Sequence, residues 1–195
     1  MSDSQFDELY PAPVGAISAT HWTPVRVAFR AARLLVKEPG CRVLDVGSGA
    51  GKFCLVGALA TEGCFFGIEK RESLVKCARD VATLLGSPNV TFAHGLFDAA
   101  SPEDYDAIYF YNPFEEASVS RLDRFEWPVP RAVERFEEDV YRAQQFLRAA
   151  KAGTRVVTYN GMGGALPSCY EVVEREQMGC TLELAVRSAH SKRAM

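Results

Sequence analysis

The stretch that most restricts the fold is Arg42-Val43-Leu44-Asp45-Val46-Gly47-Ser48-Gly49-Ala50-Gly51, followed by an apolar run from Lys52 to Ala60. A short apolar run that carries one acid near its end suits a strand buried on both faces, as in the middle of a parallel sheet. The glycines permit backbone angles that other residues avoid and let a ligand approach the chain closely. The stretch therefore reads as strand, tight turn and helix, with the acid Asp45 near the end of the strand.

Spacing separates the nucleotide-binding motifs that could occupy such a turn. A Walker-type phosphate loop needs glycine at position 46 and Ser or Thr after the lysine, where this chain has Val46 and Phe53. The dinucleotide fingerprint Gly-x-Gly-x-x-Gly fits less well, because Gly47, Gly49 and Gly51 run as Gly-x-Gly-x-Gly. A second apolar strand, Cys64-Phe65-Phe66-Gly67-Ile68, ends in Glu69. An acid closing the second strand, roughly 20 residues past the glycine turn, is placed to accept from both hydroxyls of a ribose. Glu69 thus points to a nucleoside cofactor without choosing its kind.

Leu44-Asp45-Val46-Gly47-Ser48-Gly49-Ala50-Gly51 resembles motif I of the S-adenosylmethionine-dependent methyltransferases with the Rossmann-like fold. The resemblance implies one α/β domain: a mostly parallel seven-stranded sheet finished by a C-terminal antiparallel hairpin, with helices on both faces. It implies that Asp45 holds the methionine end of the cofactor and that Gly47, Ser48 and Gly49 pass beneath it. It assigns Glu69, with Lys70 beside it, to the ribose, and the turn at Leu96 and Phe97, ahead of Asp98, to the adenine. That turn departs from the family, which usually has a polar residue where Leu96 stands.

The fourth strand, Tyr105 to Tyr111, runs into Asn112-Pro113-Phe114. This resembles motif IV of amino-methylating enzymes, with one proline in place of two. The implied roles are catalytic: Asn112 would orient an amine and border the cofactor, and Phe114 would flank the acceptor. The chemistry suits these residue types, since methyl transfer requires alignment of a lone pair, an amide oxygen accepts from N–H groups, and an aromatic face tolerates positive charge. Gly47-Ser48-Gly49 with Phe66-Gly67-Ile68-Glu69-Lys70 is also similar to the lysine methyltransferases that lack a SET domain, of the disruptor-of-telomeric-silencing type. That similarity favours a protein amine as acceptor over a small molecule or a nucleic-acid base. A nicotinamide-dependent oxidoreductase and a non-catalytic cofactor-binding module remain as alternatives.

The rest of the chain is read more plainly. With 195 residues and 48% hydrophobic content it supports one domain, and a net charge of −3 gives no global basic footprint for nucleic acid. Six scattered cysteines without a Cys-x-x-Cys pair fit reduced thiols in the cytoplasm and no metal site, and no run is long enough to span a membrane. Residues 1–19 read as a flexible arm, 20–188 as the methyltransferase domain and 189–195 as a frayed basic tail. Thr23 and Pro24 open a helix as N-cap and first residue, while His21, Trp22 and Thr23 also lie where a segment can close over the cofactor. Lys52 and the run Glu137-Glu138-Asp139 are expected to be solvated helix residues, and Glu115 to Pro130 is either a lid or a solvated loop.

Overall fold

The computed structural model describes residues 1–16, 18, 22–113 and 130–189, without the side chains of residues 130–134. Two short helices, α1 (Asp3–Asp7) and α2 (Ala12–Gly15), precede α3 (Val25–Leu35). Then β1 (Arg42–Val46), α4 (Lys52–Ala60), β2 (Cys64–Glu69), α5 (Glu72–Leu84), β3 (Val90–His94) and β4 (Ala107–Tyr111) alternate along the chain. Helix α6 (Pro130–Ala149) leads to β5 (Arg155–Tyr159), and β6 (Tyr170–Met178) and β7 (Cys180–Arg187) finish the sheet. The strand order is β3-β2-β1-β4-β5-β7-β6. The first five strands pair in parallel, and β7 lies antiparallel between β5 and β6. The expected α/β architecture with its C-terminal hairpin is present.

Both faces of the sheet are covered, which is why its middle strand, β4, is made of alanine, isoleucine and aromatic residues alone. On β4, Ala107 and Tyr109 join the core beneath α3, α4 and α5, together with Val27, Phe53 and Leu74. The alternate residues Ile108 and Phe110 meet Ala143, Phe146 and Leu147 of α6. Period-two alternation on one strand thus feeds two separate cores. Gly51 joins the loop to α4 with φ +83°, and a Cβ there would lie 2.4 Å from the Phe92 ring and 3.0 Å from the Ala78 methyl. Only glycine satisfies both constraints.

The N-terminal residues differ from the arm expected of them. Ser2 and Gln5 form a reciprocal capping box around the start of α1. Phe6 and Tyr10 are buried in the core, and the Tyr10 hydroxyl donates to the Ala50 carbonyl at 3.0 Å. Thr23 does not cap α3. Pro24 holds that position, and the Val25 N–H donates to Asp3 Oδ1 at 2.8 Å. Residues 19–21, including His21, and the tail 190–195 lie outside the described residues. No described helix is long and apolar enough to cross a membrane.

Candidate active site

The chain runs from β1 outward to β2 and β3, then returns to place β4 on the other side of β1. Connections leaving two neighbouring parallel strands in opposite directions open a crevice at their carboxyl ends, where ligands of such sheets bind. A cavity of about 460 Å³ occupies that position. Asp45, Gly47, Ser48 and Gly49 line it from the β1 end, and Glu69 and Lys70 from the β2 end. Leu96 and Phe97 come from the turn after β3, and Asn112 from the end of β4. Phe114, the other residue assigned to the acceptor, lies outside the described residues, as do residues 115–129 of the stretch read as a lid or a solvated loop.

Glu69 is buried but well served. Its Oε2 accepts from the Gly49 N–H at 3.0 Å, and its Oε1 accepts from the Arg71 N–H at 2.9 Å and from Arg71 Nε at 2.8 Å. Burial pushes its pKa up, but these bonds and the Arg71 charge outweigh it and hold the carboxyl below its ordinary value. Arg71 is a contributor that the sequence reading passed over, although it stands two residues beyond the acid. Asp45 has the opposite environment. Burial, with a smaller push from the Glu69 charge, lifts it to about 7 against the opposing bond from Cys54 Sγ at 3.4 Å. The two acids on the cavity wall are therefore shifted in opposite directions from their ordinary values.

Three further features shape the cavity. The Ser48 Oγ is buried with no hydrogen-bond partner among the described residues. Gly47 has φ +74°, and a Cβ on it would lie 3.1 Å from Pro113 Cβ, so the glycine loop approaches the turn after β4 closely. Asn112 itself has φ +37°, the left-handed region that asparagine tolerates better than most residues. The structure places Asp98 against Arg142 at 3.6 Å and not on the cavity wall. Leu96 is exposed, whereas Phe97 packs edge-on against Phe146 at 5.7 Å.

Lys52, expected in solvent, is only 3% exposed and lines the cavity. Its ammonium donates to Asp3 at 2.7 Å, Asp7 at 2.8 Å and Ser18 Oγ at 3.0 Å, and it lies 5.8 Å from the Phe6 ring centroid and 5.7 Å from that of Trp22. Trp22 and Thr23 line the same wall. The Thr23 hydroxyl shares a 2.9 Å hydrogen bond with Tyr109, whose ring stacks on Phe53 at 3.8 Å. Among the described residues, no group of three or more His, Cys, Asp or Glu side chains could hold a metal ion.

Residues 37–158 match a methyltransferase domain family. The chain belongs to that family. S-adenosylmethionine is therefore the cofactor of this methyltransferase, and the nicotinamide reading falls away. Solved structures share its fold. It is similar to an RNA methyltransferase from Salinibacter ruber in complex with S-adenosyl-L-homocysteine, at 21% identity over 88% of this chain and 97% of that one, with TM-score 0.61. TrmN from Thermus thermophilus matches at 18% identity over 85% of this chain and 49% of that one, with TM-score 0.58. An S-adenosylmethionine-dependent O-methyltransferase from Thermotoga maritima matches at 18% over 94% and 74%, with TM-score 0.55. No curated protein sequence matches this methyltransferase significantly.

Proposed function

We propose that the chain methylates the nitrogen of an amine, with Asn112 orienting the acceptor. The observation that supports this is the position of Asn112-Pro113 at the end of β4, on the cavity wall and against the glycine loop at Gly47. The residues present fit S-adenosylmethionine. The orphaned Ser48 hydroxyl offers a donor and lone pairs, and Glu69 Oε2 keeps acceptor capacity for a diol. In this reading Asp45 takes the methionine ammonium, and Gly47, Ser48 and Gly49 form the floor. Glu69 and Lys70 border the ribose, Leu96 and Phe97 the adenine, and Phe114 the acceptor. The bound cofactor supplies a methyl carbon that an acceptor lone pair displaces from sulfur, leaving S-adenosylhomocysteine and, after the product ammonium ionises, one proton.

The chain's own part is alignment. Asn112 has a carbonyl oxygen that accepts an N–H and so fixes where the remaining lone pair points. No acid or base needs to act on the leaving sulfur, because it departs neutral. Such a site gains its rate mainly from position. The test is methyl transfer from labelled S-adenosylmethionine into protein, nucleic-acid and small-molecule fractions of a cell extract. Asn112→Ala should keep S-adenosylhomocysteine binding and lose turnover, and equal loss of both would remove the assigned role. Label confined to oxygen or carbon of the product would replace the amine reading.

A further inference from the structure

The cavity carries a third acid that neither the cofactor assignment nor the glycine loop uses. Asp139 lies on α6 and lines the cavity with Tyr111, Asn112 and Pro113. The acidic run on this helix, expected to be solvated throughout, is split by the structure. Glu137 and Glu138 are exposed, while Asp139 is half-buried against the cavity.

The surrounding charges are accounted for differently. Lys52 is held by Asp3 and Asp7, and Arg71 by Glu69. Along α6, Arg142 is three residues beyond Asp139 and reaches Asp98 instead. Among the described residues the Asp139 carboxylate has no hydrogen bond or ion pair. A ligand that displaces water from such a carboxylate must return hydrogen-bond donors or positive charge, or binding loses the cost of its desolvation. A phosphate-bearing polymer would bring like charge to it. A carboxylate and an amide carbonyl lining one cavity are instead groups that suit an amine carrying an ammonium charge.

We propose that Asp139 is a specificity-determining residue that selects a positively charged aliphatic amine as the methyl acceptor. The proposal rests on the amine reading of Asn112 and narrows it. Asp139 recognises an ammonium group of the acceptor, and Asn112 presents a second nitrogen of the same molecule, which reacts as the neutral amine after giving its proton to solvent, since an ammonium has no lone pair to displace sulfur. No bond is made or broken at Asp139.

Spermidine, a compact polyamine, is the probe. Protein saturated with S-adenosylhomocysteine is titrated with spermidine by calorimetry at low and high salt, for wild type, Asp139→Asn and Asp139→Glu. Transfer from labelled S-adenosylmethionine to spermidine and to bulk tRNA is measured alongside. Wild type should bind spermidine in a salt-dependent way. Asp139→Asn should weaken that binding, and raise the spermidine KM, by about threefold to fivefold, the size of one lost partly exposed charge contact. Asp139→Glu should recover most of it, with S-adenosylhomocysteine affinity the same in all three proteins. Spermidine bound or methylated equally well by Asp139→Asn overturns the role of Asp139 and leaves amine methylation standing. No spermidine binding by wild type overturns the selection of charged amines, and transfer to tRNA in its place overturns the amine reading as well. Parallel loss of S-adenosylhomocysteine binding in Asp139→Asn would reassign the residue to the cofactor.

Discussion

Lys52 and its two carboxylates allow a prediction whose sign depends on which partner is removed. Lys52 is 3% exposed, whereas Asp3 and Asp7 are 48% and 21% exposed. Lys52→Met removes the buried charge and leaves an apolar chain against Phe6 and Trp22, while the acids turn to water. The cost should be about 1 kcal/mol, since partly exposed ion pairs contribute little once screened. Asp3→Asn with Asp7→Asn leaves the ammonium buried with only neutral acceptors. Breaking a buried pair from that side costs about 3 kcal/mol, the low end of the usual range because the acids are partly solvated. Asparagine still accepts from the Val25 N–H, so loss of the cap does not confuse the comparison. At about 2–4 °C per kcal/mol for a chain of this length, the double variant should melt roughly 6–12 °C below wild type and Lys52→Met about 2–4 °C below. Thermal unfolding at pH 7, followed by circular dichroism, measures both. Burial raises the Asp3 pKa, but the Lys52 bond and charge and the Val25 N–H outweigh it and depress the carboxyl. Its contribution to stability is therefore present above the unfolded carboxylate pKa and lost as pH falls, so the gap between wild type and double variant should narrow in acid. A Lys52→Met protein less stable than the double asparagine variant would refute the reasoning.

Other expectations are simpler to read. Asp45, raised to about 7, binds a proton more tightly folded than unfolded, so it costs stability as pH rises from the unfolded carboxylate range toward 7. A cofactor ammonium needs the ionised form, so S-adenosylhomocysteine affinity should climb about tenfold per pH unit below 7 and level off above it. Calorimetry in two buffers of different ionisation enthalpy should show proton release near pH 6, and a flat profile would discard the assignment. Tyr109→Phe strips the buried Thr23 hydroxyl of its partner and should cost about 1–3 kcal/mol in urea unfolding, with Thr23→Val in the same protein recovering part of that loss. Ser48→Ala removes an unpartnered buried hydroxyl, so stability should hold or rise by up to about 1 kcal/mol while S-adenosylhomocysteine binds more weakly; a clear stability loss would show that the hydroxyl serves the fold.

Much of the framework was legible because it is written locally. The aliphatic run before the glycines, the acids Asp45 and Glu69 at strand ends, and Asn112 after β4 are neighbours in sequence of the elements that carry them. What was not legible depends on distant partners. Lys52 at the start of a helix carries no sign of burial, since its acids stand 49 and 45 residues earlier. Thr23 has the chemistry of an N-cap, but a tyrosine 86 residues away takes its hydroxyl and Asp3 takes the helix N–H. Asp139 sits in an acidic run that helical charge patterning assigns to solvent, and only the way α6 lies on the sheet separates it from its neighbours.

The position of β7 carries a consequence for how the molecule is made. A nascent chain that has emerged only through β5 holds Val156, Val157, Thr158 and Tyr159 along an unpaired sheet margin, for the partner β7 is still to be synthesised. Such a margin is apolar and offers its amides to any other strand, including that of a second nascent chain. The returning hairpin withdraws the offer by covering β5 and leaving β6 outermost, a strand with the acids Glu171, Glu174 and Glu176 and a register shift between Val172 and Glu174. Synthesis of the hairpin thus exchanges an adhesive border for a charged and irregular one.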